Sequence, residues 1–104
     1  MRKSDGGDCY EVAGRIAIDA RDEYTVCHGT VVGTGGPHHG RAFGHAWVEF
    51  ERGGVAFVMD QSNGNDVVIP AELYYRLGSI TDVARYTGRE ACQRMVDTGH
   101  FGPW

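Results

Sequence analysis

Hydrophobic and polar residues alternate most clearly in two neighbouring stretches near the middle of the chain. Both stretches, 43–51 and 55–61, are rich in β-branched and aromatic residues, and an Arg-Gly-Gly segment separates them. Alternation with a period of two favours a β-strand, and a glycine pair between two such strands is typical of a hairpin turn. We therefore predict a β-hairpin with His45 near the open end of one strand and Asp60 near the open end of the other.

The length of the hairpin loop decides whether His45 and Asp60 meet. A four-residue loop places them directly opposite each other, with Cβ atoms roughly 4.5–5.5 Å apart. A two-residue Gly53-Gly54 turn places Asp60 opposite Trp47, on the same face as His45 and diagonal to it. A three-residue loop separates them, because a slip of one residue inverts every side chain. Two of the three simplest loops predict a His-Asp pair, and an ordinary sheet histidine paired to a carboxylate is the alternative interpretation.

Helical periodicity begins near residue 8. The apolar positions of DCYEVAGRIAIDA recur at helical spacing, which predicts a helix from Cys9 to about Arg21. Asp8 and Glu11 match the capping-box pattern. In the first turn of such a helix, unpaired backbone N–H groups and the positive end of the helix dipole favour a thiolate, which is a nucleophile. The alternative interpretation of Cys9 is a small buried apolar residue.

The other segments predict three further strands and two further helices. The predicted strands are 24–33, 66–70 and 80–86, and the predicted helices are 70–77 and 88–98. Thr87 and Glu90 form a second capping-box pattern, Gly99 closes the last helix, and Trp104 in the apolar tail is expected to fold back on the domain. Residues 33–42 are rich in glycine and predict a loop, in which His38 and His39 are candidates for a substrate flap.

Length and charge exclude several classes of protein. A chain of 104 residues is expected to form one domain, spanning 1–104. The formal charge of −4 and the lack of a basic stripe argue against nucleic acid or an anionic membrane as a partner. No apolar run approaches the roughly 18 residues of a membrane span, and the N-terminal segment lacks the apolar block of a signal peptide. We therefore expect a cytoplasmic protein.

The cysteines and histidines raise the question of a metal. Three cysteines without C-x-x-C spacing favour reduced thiols over a disulfide framework. Cys27, His28, His38 and His39 are a candidate zinc set. Neighbouring residues on a strand point to opposite faces, however, and no closed four-ligand spacing is present. We therefore expect neither a metal nor another cofactor, and a metal-binding protein remains an alternative.

Three short motifs resemble the papain-like cysteine hydrolase superfamily, most closely its transglutaminase-like core. The segment 8–13 (DCYEVA) resembles the motif in which a nucleophilic cysteine and an aromatic residue open the central helix. The segment 45–49 (HAWVE) resembles the HAW strand, and Asp60 stands where the family keeps its triad carboxylate. The resemblance covers roughly residues 8–63, and a more distant one connects the same start to the NlpC/P60 peptidoglycan endopeptidases.

The resemblance implies an α+β fold whose central antiparallel sheet packs against the cysteine-bearing helix. It also implies a cysteine hydrolase or acyltransferase in which Cys9 attacks the carbonyl carbon of an amide or peptide bond, His45 transfers protons and Asp60 orients His45. The candidate substrate-binding residues are Tyr10, His38, His39 and Trp47. The segment before Cys9 lacks the glutamine that papain-like enzymes use as a second oxyanion donor. A binding module without catalytic activity is the rival expectation from another class.

Overall fold

Each stretch whose pattern predicts a helix or a strand forms an element of that type. The structure is a computed structural model that describes residues 8–20, 22–33, 40–62 and 66–104, so His38 and His39 lie outside the described residues. In these ranges the elements are α1 (Cys9–Asp19), β1 (Thr25–Val32), β2 (Ala42–Arg52), β3 (Val55–Asp60), β4 (Val67–Pro70), α2 (Ala71–Leu77), β5 (Thr81–Thr87) and α3 (Gly88–Thr98).

The two capping-box patterns have different outcomes. Thr87 is extended, with φ −59° and ψ 159°; its Oγ1 accepts from the Glu90 N–H at 3.0 Å, and the Glu90 carboxylate accepts from the Thr87 N–H at 2.9 Å. Asp8 has φ −109° and ψ 17° and makes no side-chain capping bond. An N-cap needs an extended backbone to aim its side chain at the first turn. The capping box is therefore confirmed for α3, and its prediction for α1 is wrong.

The strands form one antiparallel sheet in the order β4-β3-β2-β1-β5, with β2 at its centre. The β2–β3 hairpin pairs Arg52 with Val55, so Gly53 and Gly54 form a two-residue turn. Both glycines have positive φ, 62° and 80°. This backbone matches the twist of the flanking strands and is strained for other residues.

The sheet is covered on both faces. Helices α1 and α3 cover one face, and α2 covers the other. Neighbouring residues of β2 therefore enter different cores: Ala46 and Val48 pack towards α1, while Trp47 packs towards α2. The α+β fold with a central antiparallel sheet against the cysteine-bearing helix is confirmed. None of the helices in the described ranges has the length and apolar character needed to cross a membrane.

The C-terminal tail folds back as predicted. The Trp104 ring lies 4.9 Å from the ring of Tyr86 and 4.9 Å from that of His28, measured between ring centroids. Phe101 packs against Gly14 of α1, where an added Cβ would lie only 2.6 Å from the Phe101 ring. The tail thus joins α1 to β1 and β5 on one face of the sheet.

Candidate active site

The hairpin register brings His45 and Asp60 together. With Gly53 and Gly54 as the turn, Asp60 lies diagonally across the ladder from His45 on the same face. The two side chains meet, and His45 Nε2 lies 2.8 Å from Asp60 Oδ2. Both residues are buried, with 9% and 7% of their surfaces exposed. The pair is therefore a close contact shielded from water.

Asp60 is held by two further residues. Its Oδ1 accepts hydrogen bonds from the Ser62 N–H at 3.1 Å and the Ser62 hydroxyl at 2.7 Å. The Tyr74 hydroxyl donates to Oδ2 at 2.7 Å. Burial opposes ionisation of Asp60, but the hydrogen bonds from His45 and Ser62, the charge of His45 and the Tyr74 hydroxyl outweigh it and lower the Asp60 pKa to about 2. Asp60 is therefore a carboxylate at neutral pH.

The same neighbours act on His45. Burial alone would lower the pKa of an imidazole. The hydrogen bonds to Asp60 and Cys9 and the charges of both groups outweigh burial and raise the His45 pKa to about 9. The ring also stacks on Trp47, with 6.0 Å between centroids and 26° between planes. His45 is consequently an oriented imidazolium at neutral pH.

Cys9 reaches His45 from the start of α1. The last pair of the β2–β3 ladder is Val48 with Met59, so β2 extends past β3 at His45. Cys9 lines a small void together with Asp60 and the two residues that follow it. The nearby Cys9 thiol contributes to the raised pKa of His45. His45 Nδ1 has no hydrogen-bond partner within the described ranges, so the two groups are neighbours that are not joined by a hydrogen bond of standard geometry.

Trp47 and Tyr10 differ in their access to a ligand. Trp47 is only 1% exposed and packs against Tyr74, Tyr75 and the ring of His45. Its assignment to substrate binding stays a prediction. Tyr10 is half-buried and lines a surface hollow with His28. Its hydroxyl approaches Gly44, where an added Cβ would lie 2.8 Å away. Part of the Tyr10 side chain is therefore accessible from the surface, next to Cys9 in the chain.

Sequence reasoning missed Ser62 and Tyr74. An Asp followed two residues later by Ser is a local signal, because an Asp side chain often accepts from the backbone N–H two positions on. Tyr74 carried no comparable signal, because it reaches Asp60 from α2, fourteen residues further along the chain. Burial and the charge of Asp60 raise the Tyr74 pKa, so its hydroxyl stays protonated and donates.

The candidate metal residues Cys27 and His28 diverge. Cys27 packs in the core beside α2, whereas the His28 ring lies against Tyr10 on the α1 face. Burial, with the charge of Glu49, raises the Cys27 pKa to about 12, so this thiol stays protonated. Within the ranges that the structure describes, no three potential ligands come together.

The resemblance to cysteine hydrolases was drawn from three short motifs, and the structure shows where their residues lie. The described geometry consists of a thiol at a helix start, an imidazole on a central strand and a carboxylate on the next strand. Comparisons of the chain with protein-family models, curated proteins and solved structures found no match.

Proposed function

We propose that the protein is a cysteine hydrolase or acyltransferase of the peptidase, amidase or transglutaminase type, acting on amide or peptide bonds. The observation that carries the proposal is the buried His45–Asp60 pair, within reach of a thiol at the N-terminus of α1. Isolating an ion pair from water is costly, and a hydrophobic pair of similar volume is often as stable. A catalytic role explains why this position holds charged groups.

The reaction divides into two acyl transfers. The Cys9 sulfur attacks the carbonyl carbon, a C–S bond forms, and the C–N bond breaks as His45 gives its proton to the leaving nitrogen. Water or a second amine then attacks the thioester carbon and loses a proton to His45. The C–S bond breaks and the Cys9 thiolate and His45 imidazolium are restored.

The other groups position these reactants. Asp60 holds His45 through Nε2, which leaves Nδ1 as the nitrogen for proton transfer. The first backbone hydrogen bond of α1 runs from the Val12 N–H to the Asp8 carbonyl. The Cys9 N–H precedes it and is not consumed by the helical ladder, so it is the candidate oxyanion donor.

Burial of the thiol favours a second candidate function. Cys9 is only 2% exposed, as expected of a packing residue in a binding module that keeps the fold without catalysis. A hydrolase needs the substrate carbonyl to reach Cys9, which requires a small opening of the surrounding side chains. For the catalytic function we propose a peptide or protein substrate and a cytoplasmic location, where free thiols such as these three persist.

Selective alkylation separates the two functions. We expect iodoacetamide at pH 6 to modify Cys9 much faster than Cys92, which is more exposed but has no histidine paired to it in the part of the chain that the structure describes. The His45→Ala substitution should abolish that selectivity. Amide turnover should be lost in Cys9→Ala and kept in Cys92→Ala. Equal slow labelling of all three cysteines would favour the binding module.

A further inference from the structure

A groove of about 600 Å³ opens on the α2 side of the sheet and has His45 in its wall. Strand β4, helix α2 and the ends of β1 and β2 form its walls. Apolar groups dominate the lining, including Phe43, Val67, Ile69 and Leu77. Its volume falls within the range of roughly 300–1,000 Å³ typical of small-molecule sites.

The lining is almost free of charge. Among the described residues that form the groove, His45 and Tyr74 are the titratable ones. The Tyr74 hydroxyl already donates to Asp60. A cation brought into this groove would lose water and meet the charge of His45, and an anion would find that charge already paired with Asp60. The groove therefore fits an uncharged apolar group.

The position of the groove relative to the two reacting residues identifies which half of a substrate it suits. His45 lines the groove, whereas Cys9 lines the separate void on the α1 side. His45 Nδ1 is itself buried, so a substrate reaches it through the same opening of side chains that exposes Cys9. In acyl transfer, the thiol holds the acyl half, and the histidine meets the leaving nitrogen and later the incoming nucleophile. A groove that contacts the imidazole but not the thiol therefore lies on the amine side of the reaction.

We infer that this groove binds the amine half of the substrate, and that this half carries a large, uncharged apolar group. The inference rests on the proposed function and assigns a substrate class to the same site. The amine leaves with the proton from the His45 imidazolium as the Cys9 thioester forms. By the reverse path, an apolar amine in the groove gives a proton to His45 and attacks the thioester, and the C–S bond breaks.

The inference can be tested by comparing how well two amines capture the acyl group from the same acyl-enzyme. Acetylation of the full chain by p-nitrophenyl acetate gives the same thioester whichever amine is added. We expect phenylalaninamide to capture the acetyl group at least about tenfold more effectively than glycinamide at equal free-amine concentration, since its side chain gains an apolar surface. Equal capture by the two amines from a demonstrated acyl-enzyme would overturn the inference while leaving the proposed function intact.

Two leucines on α2 give matched variants. Leu77 lines the groove and Leu73 does not, and both are exposed, by 60% and 37%. Leu77→Asp should reduce the preference for phenylalaninamide to less than about threefold, because it places a carboxylate in an apolar site. Leu73→Asp should keep the preference of the original protein. A preference lost equally in both variants would contradict the assignment.

Binding without catalysis separates the groove from the proposed reaction. In Cys9→Ala, phenylalaninamide should shift the NMR methyl signals of Val67 and Ile69, and glycinamide should not. If these shifts are seen but the p-nitrophenol burst does not depend on Cys9, the groove binds the apolar amine and the proposed function is wrong. Unchanged methyl signals at millimolar phenylalaninamide would overturn the groove assignment.

Discussion

Two buried histidines on neighbouring strands have pKa values shifted in opposite directions. His45 lies on β2 and His28 on β1, and they are 9% and 6% exposed. His45 contacts Asp60, and its pKa is raised to about 9. His28 is surrounded by aromatic rings; within the described chain neither ring nitrogen has a hydrogen-bond partner, and burial lowers its pKa to about 4.

The comparison shows that the partner, rather than burial, sets the charge of a histidine here. Burial lowers the pKa of both rings, and only His45 has a carboxylate that reverses the effect. The pH dependence of stability consequently has opposite signs. Stability from His45 is complete below its ordinary pKa of 6.5 and is lost as the pH rises through about 9. Stability from neutral His28 is complete above 6.5 and is lost as the pH falls through about 4.

The largest expected difference is in catalysis. His45→Ala should lower Cys9-dependent amide turnover by roughly 10²–10⁴-fold, because it removes the group proposed as general acid and base. His28→Ala should change turnover only slightly, because neither ring nitrogen of His28 has a hydrogen-bond partner within the described ranges and its ring packs against aromatic side chains. Steady-state kinetics on one amide substrate measures both. Similar losses in the two variants would mean that His45 has only a structural role.

Asp60→Asn should make His45 resemble His28. Without the carboxylate, burial dominates, and the His45 pKa should fall from about 9 to below 6.5. Breaking the buried pair should lower the free energy of unfolding at pH 7 by roughly 3–5 kcal/mol. NMR titration of the ring protons and urea unfolding measure the two effects. A pKa that stays near 9 in the variant would show that Cys9, not Asp60, supplies the stabilising charge.

His28→Leu should remove one part of the acid sensitivity. The original protein loses about 2 kcal/mol of unfolding free energy by pH 4.5, because below pH 6.5 His28 binds a proton in the unfolded chain but stays mostly neutral in the folded one. The His28→Leu variant should lose less unfolding free energy over that pH interval. The contribution of Asp60 is lost only as the pH falls from 3.8 through about 2, below that window. Urea unfolding at pH 7 and 4.5 measures the slope, and parallel curves would contradict this prediction.

Tyr74→Phe should have the smallest effect. It removes one donor from Asp60, which keeps His45 and Ser62, so the expected loss of unfolding free energy is about 1 kcal/mol. Looser orientation of His45 should also reduce kcat severalfold with little change in KM. Tyr75→Phe is the control, because the Tyr75 hydroxyl bonds to Glu49 instead. Equal losses of kcat in the two variants would remove the positioning role of Tyr74.

The fold could be predicted from local patterns because most of its elements have strong ones. Alternation predicted β2 and β3, and helical periodicity predicted α1. Other details depend on backbone angles that residue types do not determine. Asp8 carries the capping-box sequence, but its backbone is not extended, whereas that of Thr87 is.

The candidate site could be predicted only in part. The hairpin pattern limited His45 and Asp60 to a few registers, and the two-residue turn selected one that joins them. The approach of Cys9 depends on how α1 packs against the sheet, which the motif resemblance anticipated and periodicity alone did not. The aromatic rings around His28 come from α1, β5 and the C-terminal tail. Packing between segments so far apart in the chain leaves no local sequence pattern from which to predict it.

The Gly53-Gly54 turn lets the exposed tip of the hairpin change length without moving the site. No atom of the described residues lies within 4 Å of a side chain added at either glycine, so extra residues can bulge into solvent while the strands stay paired as they are. Removal of either glycine leaves one residue between Arg52 and Val55, too few to reverse the chain, so that pair must open. Glu51 and Ala56 then close a three-residue loop, and every pair below them, as far as Val48 with Met59, is kept. A change of length at the tip would thus leave intact a cluster that lies roughly 25 Å along the strand.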